Sequence, residues 1–291
     1  MPTGRVIKAQ NSFFYVREEH GGVVRCSLRG KFKNRMPVYP GDCVEVQLLP
    51  DGDGVVERVL ERRSLLRRPA VANIDQAVLV FAAAQPDLHP LLLNRFLVLA
   101  EASRIPEILL CVNKMDLCPQ LEGEVLSLYE DIGYPVLRIS AKDGRGIDGV
   151  RRRIAGRIAA FAGPSGVGKS SLLNRLDPSL GLEMGDVSEK IKRGCHTTRL
   201  ARLFPHDGGY IVDTPGFSAV DLSDVSAESL AGYFREFVPY FGNCRFRPCT
   251  HSHEPHCSVK AAVASGAISR ERYEAYLRIL MEVKNRKKGY V

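Results

Sequence analysis

The sequence predicts a multidomain α/β chain in three parts. These are a small β-barrel over residues 1–66, an open parallel α/β sheet over 67–224, and a small helical module over 225–291. Three observations carry the prediction. Short strand-like runs separated by turn residues fill the first part. Continuous apolar runs alternate with amphipathic ones through the second. A cluster of cysteines and histidines and then a long amphipathic run make up the third.

In the first part, "GRVIKAQNSFFYVRE" and "GGVVRCSLRG" are strand-like and joined by a polar Glu-His-Gly-Gly turn. "DCVEVQLLPDGDGVVERVLE" adds two strands that turn at Asp51-Gly52-Asp53-Gly54. So many short strands in so few residues suit a barrel, with an OB-fold the first choice. Exposed aromatics on such a barrel stack on bases. Strand alternation requires at least one of Phe13, Phe14 and Tyr15 to be core. The basic loop "RGKFKNRMP" suits either a phosphate backbone or solvent. "RRSLLRRPAVANID" reads as a linker.

The pattern then changes. "IDQAVLVFAAA", "PEILLCVNKMD", "PVLRISAK" and "IAAFAGPSG" are strands, the first two of them continuous apolar runs that suit burial on both faces. "LLLNRFLVLAEASR", "GEVLSLYEDIG" and "GIDGVRRRIAGR" between them are helix-like. Ligands of such sheets lie at the carboxyl ends of the strands, and Asn113, Ser140 and Gly163 all fall there. In the third part "SAESLAGYFREF" is expected to be helical, as is "ISRERYEAYLRILMEVKNRKK" with its basic end.

The formal net charge of +8 is unevenly spread: +5 over residues 1–68, −2 over 69–225 and +5 over 226–291. Basic flanks around a near-neutral centre suggest a polyanionic partner, most simply nucleic acid. No apolar run approaches the roughly 20 residues of a membrane span, and the first residues lack the layout of a signal peptide. A cytoplasmic monomer without membrane association is expected, and its eight cysteines as thiols or metal ligands.

"GPSGVGKS" fits the phosphate-loop pattern in full, with a strand before it and a helix after. Gly163, Pro164, Ser165, Gly166, Val167, Gly168, Lys169, Ser170 and Ser171 would wrap a nucleotide's phosphates. Lys169 would reach the β- and γ-phosphates and the Ser170 hydroxyl would ligate Mg²⁺. In "VDTPG", Asp213 would hold the same Mg²⁺ through water and the Gly216 amide would meet the γ-phosphate. "HTTR" lies where a first switch belongs, and Thr197 or Thr198 would complete the Mg²⁺ shell.

"NKMD", residues Asn113, Lys114, Met115 and Asp116, selects the base. A carboxylate at Asp116 accepts from both guanine N1–H and the exocyclic amine. Adenine offers neither donor, which leaves a costly unpaired carboxylate. Asn113 would tie loops together and the Lys114 stem would cover the base. In "SAK", Ser140, Ala141 and Lys142, the Ala141 amide would meet guanine O6. The set implies GTP and GDP as ligands, argues against a small-molecule kinase and points to a GTP hydrolase.

These parts run in the order base loop, "SAK", phosphate loop, first switch, "DTPG", a circular permutation of the usual GTPase order. A sheet tolerates it when old termini are joined and new ones opened in a surface loop. The chain therefore leaves the GTPase domain soon after the segment that moves on hydrolysis. Whatever follows is tethered to the switch.

That following part contains the spacing C-x4-C-x-H-x5-C. Cys244, Cys249, His251 and Cys257 would make a closed Cys3His site for one structural Zn²⁺, with His253 and His256 as alternative ligands.

Taken together, "NKMD", "GPSGVGKSSLLN", "HTTR", "DTPGF" and the cysteine cluster resemble the ribosome small-subunit-dependent GTPase A family, RsgA, the circularly permuted GTPases of late small-subunit maturation. The resemblance implies an OB-fold barrel over 1–66, a permuted GTPase domain over 67–224 and a zinc-binding domain over 225–291. It implies GTP hydrolysis stimulated by the small ribosomal subunit, with the barrel and the zinc domain on its rRNA. The competing reading is an RNA-binding protein that holds GTP as a structural ligand with incidental turnover. On catalysis, many GTPases place a water-orienting glutamine directly after "DxxG". Here that residue is Phe217, so His196 in the first switch is the candidate for the role; Lys169, on the β- and γ-phosphates, is the other candidate catalytic residue.

Overall fold

The computed structural model describes residues 1–18, 21–28, 37–118, 124–182, 201–213 and 220–286. The N-terminal strands β1 (Thr3–Gln10), β2 (Phe13–Glu18), β3 (Val23–Leu28), β4 (Cys43–Leu48) and β5 (Gly54–Val59) pair in the order β1-β2-β3-β5-β4, and β4 returns to β1 to close a barrel. β3 and β5 run parallel and the other pairs antiparallel. This is the OB-like barrel expected. The run read as one strand over 4–18 is a hairpin, because Asn11 and Ser12 both take positive φ. Two such residues twist a two-residue turn in the sense that antiparallel strands need. Phe14 is the core residue of its trio, packed with Val6, Val16, Val44, Val46 and Val56, while Phe13 is exposed. Residues 29–36 of the basic loop lie outside the described residues.

The stretch read as a linker is an ordered hairpin, β6 (Leu65–Arg67) and β7 (Ala70–Ala72). Leu66 and Val71 are fully buried and pack with the core of the next sheet. Its arginines Arg67 and Arg68 stay exposed while the apolar pair faces inward.

The second sheet has the parallel order β10-β9-β8-β11-β13, from β8 (Gln76–Ala82), β9 (Glu107–Asn113), β10 (Val136–Arg138), β11 (Ile158–Ala162) and β13 (Gly209–Asp213). Every residue of β8 is buried, and alternate side chains serve opposite faces. Ala77, Leu79 and Phe81 meet α1 (Pro90–Ala102) and Tyr129 of α2 (Glu124–Asp131). Val78, Val80 and Ala82 meet α3 (Ile147–Ile154) and α4 (Lys169–Leu176). Each large apolar side chain buried this way contributes about 1.5–3 kcal/mol, so the doubly covered strand anchors the domain. β12 (Arg202–His206) pairs antiparallel to β13 at the sheet edge and was not anticipated. On its other side it meets β1, Lys8 opposite Arg202, and so joins barrel and sheet into eleven strands.

In the C-terminal part, the segment expected as one helix forms two 3-10 turns, Leu230–Tyr233 and Arg235–Tyr240. The reason is a spacing of three. Ala231, Phe234 and Phe237 are buried together, which suits three residues per turn, and Gly232 and Pro239 weaken an α-helix. α5 (Ser258–Ala264) and α6 (Arg270–Arg286) complete the module, the latter as expected. Among the described residues no helix is long and apolar enough to cross a membrane.

Candidate nucleotide site and metal centre

The carboxyl ends of β9, β10 and β11 bring the base and phosphate loops together. Asn113 ends β9 and is buried. Its Nδ2 donates to Val167 O at 2.9 Å, and its Oδ1 accepts from the Ala141 amide at 2.9 Å. One side chain thus joins "NKMD", the phosphate loop and "SAK". The Ala141 amide, assigned above to guanine O6, is engaged by Asn113 here. Reading O6 with that amide requires a three-centre bond, a common arrangement for backbone donors.

Asp116 has one close hydrogen bond and one longer ion pair among the described residues. The fully buried Ser140 donates its Oγ–H to Asp116 Oδ1 at 2.8 Å, and Lys142 Nζ stands 3.9 Å from Oδ2. Ser140 Oγ also accepts from the Asp143 amide at 3.3 Å. Lys114 takes a positive φ and donates its ammonium to Gln85 O, which carries its stem across from β9 to the loop after β8. Met115 is buried, and its amide donates to Ile139 O at 3.2 Å.

In the phosphate loop, Gly163 and Gly168 are required by close approach. A Cβ on Gly163 would lie 2.0 Å from Val80 O, and one on Gly168 would lie 2.4 Å from Asn113 Nδ2, both at positive φ. Gly168 caps α4, so the loop runs directly into the helix N-terminus, whose unpaired amides favour an anion. Lys169 Nζ donates to Gly163 O at 2.8 Å and Pro164 O at 2.6 Å, across the mouth of the loop. Ser165, Ser170 and Ser171 are in the loop and the first turn of the helix.

Sequence reading missed Arg175. From the last turn of α4 it donates Nε to Ala141 O at 3.0 Å and Nη2 to Lys142 O at 2.7 Å. It clamps the base loop to the phosphate-loop helix. Nothing in "SSLLNRL" signals this, because the partner carbonyls lie some thirty residues earlier.

β13 ends at Asp213, level with Arg202 across the pair. His196, Thr197, Thr198, Gly216 and Phe217 lie outside the described residues.

The Cys3His set forms a second centre. One ligand atom from each of Cys244, Cys249, His251 and Cys257 lies within 4.8 Å of the others. Cys244 Sγ is 3.9 Å from Cys257 Sγ, and His251 Nδ1 is 3.6 Å and 3.3 Å from those two sulfurs. A tetrahedral ion with metal–sulfur bonds of about 2.3 Å spaces such ligands roughly 3.5–3.8 Å apart. The donor set therefore fits a metal ion. Burial lowers the His251 pKa, which favours the neutral imidazole that a metal needs. Among the three neighbouring histidines the fold selects His251, whose Nδ1 lies near two of the sulfurs and whose ring stacks on Phe241 at 5.2 Å. Tyr273 OH donates to His251 O at 2.7 Å and Tyr276 OH to Thr250 O, fixing the knuckle to α6. Burial opposes ionisation of Glu254, but hydrogen bonds from Thr250 and Ser252 prevail and hold its carboxyl down at about 2.

A phosphate loop and a base-reading loop on one parallel sheet, met in reversed order, define a circularly permuted P-loop GTPase. The RsgA GTPase family matches residues 59–223, and the RsgA N-terminal domain matches residues 3–56. The chain is 43% identical to the small ribosomal subunit biogenesis GTPase RsgA of Caldanaerobacter subterraneus subsp. tengcongensis, over 98% of this chain and 97% of that one. It is 45% identical to the protein of the same description from Moorella thermoacetica, over 99% of each. The crystal structure of YjeQ from Thermotoga maritima superposes with a TM-score of 0.83 at 38% identity, covering 97% of this chain and 98% of that one. That of YloQ, described as a circularly permuted GTPase, gives 0.82 at 36% identity, covering 98% and 96%. The chain belongs to the RsgA GTPase family and is a GTP-hydrolysing enzyme.

Proposed function

We propose that this GTPase binds the small ribosomal subunit and hydrolyses GTP during a late step of that subunit's maturation, acting as a cytoplasmic monomer. The observation that carries the reading is the end-to-end similarity to proteins described as small ribosomal subunit biogenesis GTPases, in a chain that holds the base and phosphate loops in contact. The basic flanks suit rRNA as the contacted surface.

In this reading Asp116 accepts from guanine N1–H and its amine, while Ser140 fixes the carboxylate's orientation. The Lys114 stem covers the base. Residues 163–171 wrap the phosphates, and Lys169 leaves its loop carbonyls for the β- and γ-oxygens. Ser170, Thr197 or Thr198, and Asp213 hold Mg²⁺, which neutralises phosphate charge. The Gly216 amide meets the γ-phosphate. His196 orients the attacking water, in place of the glutamine that Phe217 replaces. Cys244, Cys249, His251 and Cys257 hold one structural Zn²⁺.

Two structural joints support a link between switch state and the flanking modules. β12, which directly follows the first switch, pairs with β1 of the barrel. Beyond "DTPG", Asp221 pairs with Arg68 at 2.8 Å and Asp224 with Arg67 at 3.6 Å, on the β6–β7 hairpin.

The test measures binding to purified small subunits with GDP and with a non-hydrolysable GTP analogue, and turnover with and without subunits. Nucleotide-dependent binding and subunit-stimulated turnover are expected. His196→Ala should keep GTP affinity and subunit binding but lose most of the stimulation. Binding that ignores the nucleotide, with unstimulated turnover, would instead make GTP a structural ligand.

A further inference from the structure

The knuckle between the first two metal-site cysteines carries side chains that GTP chemistry does not use. It reads Cys244-Arg245-Phe246-Arg247-Pro248-Cys249, and the four residues between the cysteines are all exposed. Its geometry is nevertheless fixed. The two cysteines belong to the metal cluster, the Arg245 amide donates to His256 O at 3.2 Å, and Arg247 Nη2 donates to Gly242 O at 2.7 Å.

Phe246 is 44% exposed, with the Arg245 guanidinium 5.8 Å from its ring centroid. Phe241, 37% exposed, lines the same groove as Phe246. Among the described residues, the large exposed apolar ones outside this C-terminal stretch are Met1, Phe13, Val23, Leu48, Leu117 and Met281, which come from separate elements. Single exposed apolar residues need no explanation, but a cluster does. Phe241, Phe246 and Arg247 are among the residues that line a groove, with Glu228 and the metal-site residues Cys244 and His251.

Charge decides the occupant. Between Phe237 and His253 there is no Asp or Glu, while two arginines flank the exposed ring. The surface therefore suits a partner with flat apolar faces spaced along a negative backbone. Unpaired nucleobases on a phosphodiester strand have both. A duplex hides its base faces in the stack, and an apolar protein partner would leave both guanidinium groups without anions.

We propose that the Arg245-Phe246-Arg247 tip is a stacking platform for single-stranded RNA, with Phe246 taking an unpaired base and the two arginines its flanking phosphates. The proposal deepens the reading above, resting on it only for the ribosomal source of the strand.

The chain contains no tryptophan, so Phe246→Trp installs a single fluorescent reporter at the tip. Metal-loaded, full-length Phe246→Trp is titrated with a short oligouridylate and with a duplex RNA of the same length. Met281→Trp, on the exposed face of α6, serves as the control. Saturable quenching by the single strand, weak quenching by the duplex and none in the control are expected. Phe246→Ala and Phe246→Leu, with metal content equal to the parent, should each lose roughly 5- to 100-fold in oligouridylate affinity. Arg245→Gln and Arg247→Gln should each lower the salt slope by about 1.

An unquenched Phe246→Trp overturns the proposal. So does a leucine variant that binds like the parent, since that marks an apolar protein contact. Subunit binding is measured alongside. If the parent holds oligouridylate through Phe246 but ignores the subunit, the ribosomal reading falls and the platform stands. If parent and Phe246→Ala bind both alike, the platform falls and the ribosomal reading stands.

Discussion

In the proposed reading, guanine selection comes down to how the Asp116 carboxylate is presented. Ser140 donates to one oxygen of Asp116 at 2.8 Å, while the ammonium of the exposed Lys142 is 3.9 Å from the other. The buried hydroxyl orients the carboxylate through one oxygen, and in this reading the other is the one offered to the base. Asp116→Asn replaces an acceptor with a donor. GTP affinity should fall by roughly 100-fold or more, since a site built to pair particular donors and acceptors rejects a mismatched ligand strongly. Xanthosine triphosphate, with a carbonyl where guanine has its amine, should become the preferred ligand. Competition binding of the two nucleotides checks this, and a variant that still prefers GTP would remove Asp116 from the role.

Among the elements, α6 does most to place the C-terminal module. Its Arg272 is 1% exposed and bonds both carboxylate oxygens of Glu236, at 2.6 Å and 3.0 Å, and also Asn94 of α1. The guanidinium also lies 4.7 Å from the Phe234 ring centroid. Arg235–Glu101 and Arg95–Glu282 pairs reinforce the contact with α1. The module is therefore docked on the GTPase domain, beyond its covalent tether after "DTPG". Arg272→Leu leaves Glu236, its side chain only 11% exposed, without its partner and should cost about 3–5 kcal/mol. Adding Glu236→Leu should recover much of that, because an apolar pair has no charge to desolvate. Thermal melts of the two variants decide the point. The metal knuckle hangs from the same helix through Tyr273 and Tyr276. Cys249→Ala should lose the metal and loosen this module while GTP binding persists. Metal analysis of protein purified without chelator should find one zinc per parent chain; finding none would sink the site.

Across the whole molecule, charge and connectivity act together. Two basic flanks of +5 each bracket a domain of −2. If they hold rRNA mainly through phosphates, counterion release makes affinity fall steeply with salt. For several phosphate contacts the loss is roughly 1,000-fold between 50 and 200 mM. A binding constant unchanged over that range would rule the phosphate contacts out. Connectivity then gives bound RNA a route to the chemistry. β1 of the barrel lies beside β12, and β12 beside β13, so that Lys8, Arg202 and Asp213 share one row across the sheet. A particle that shifts the barrel bears directly on the strand leaving the first switch.

What the sequence determined by itself was whatever rests on short-range pattern. The phosphate loop, "NKMD" and the cysteine spacing are legible because each places its chemistry within a few residues. Buried strands such as β8 and β9 are legible because burial on both faces demands unbroken apolar runs. The tertiary structure decided the rest, where the deciding partner is distant in the chain. Asn113 reaches Val167, Arg175 reaches Ala141, and Leu66 of the supposed linker reaches the sheet core. His251 prevails over His253 and His256 because the fold turns its Nδ1 toward the sulfurs of Cys244 and Cys257. β12 gave no apolar run to read, having a single buried residue, Leu203, in its five. It is a strand because β13 and β1 offer backbone hydrogen-bonding groups on either side, and no local pattern records that.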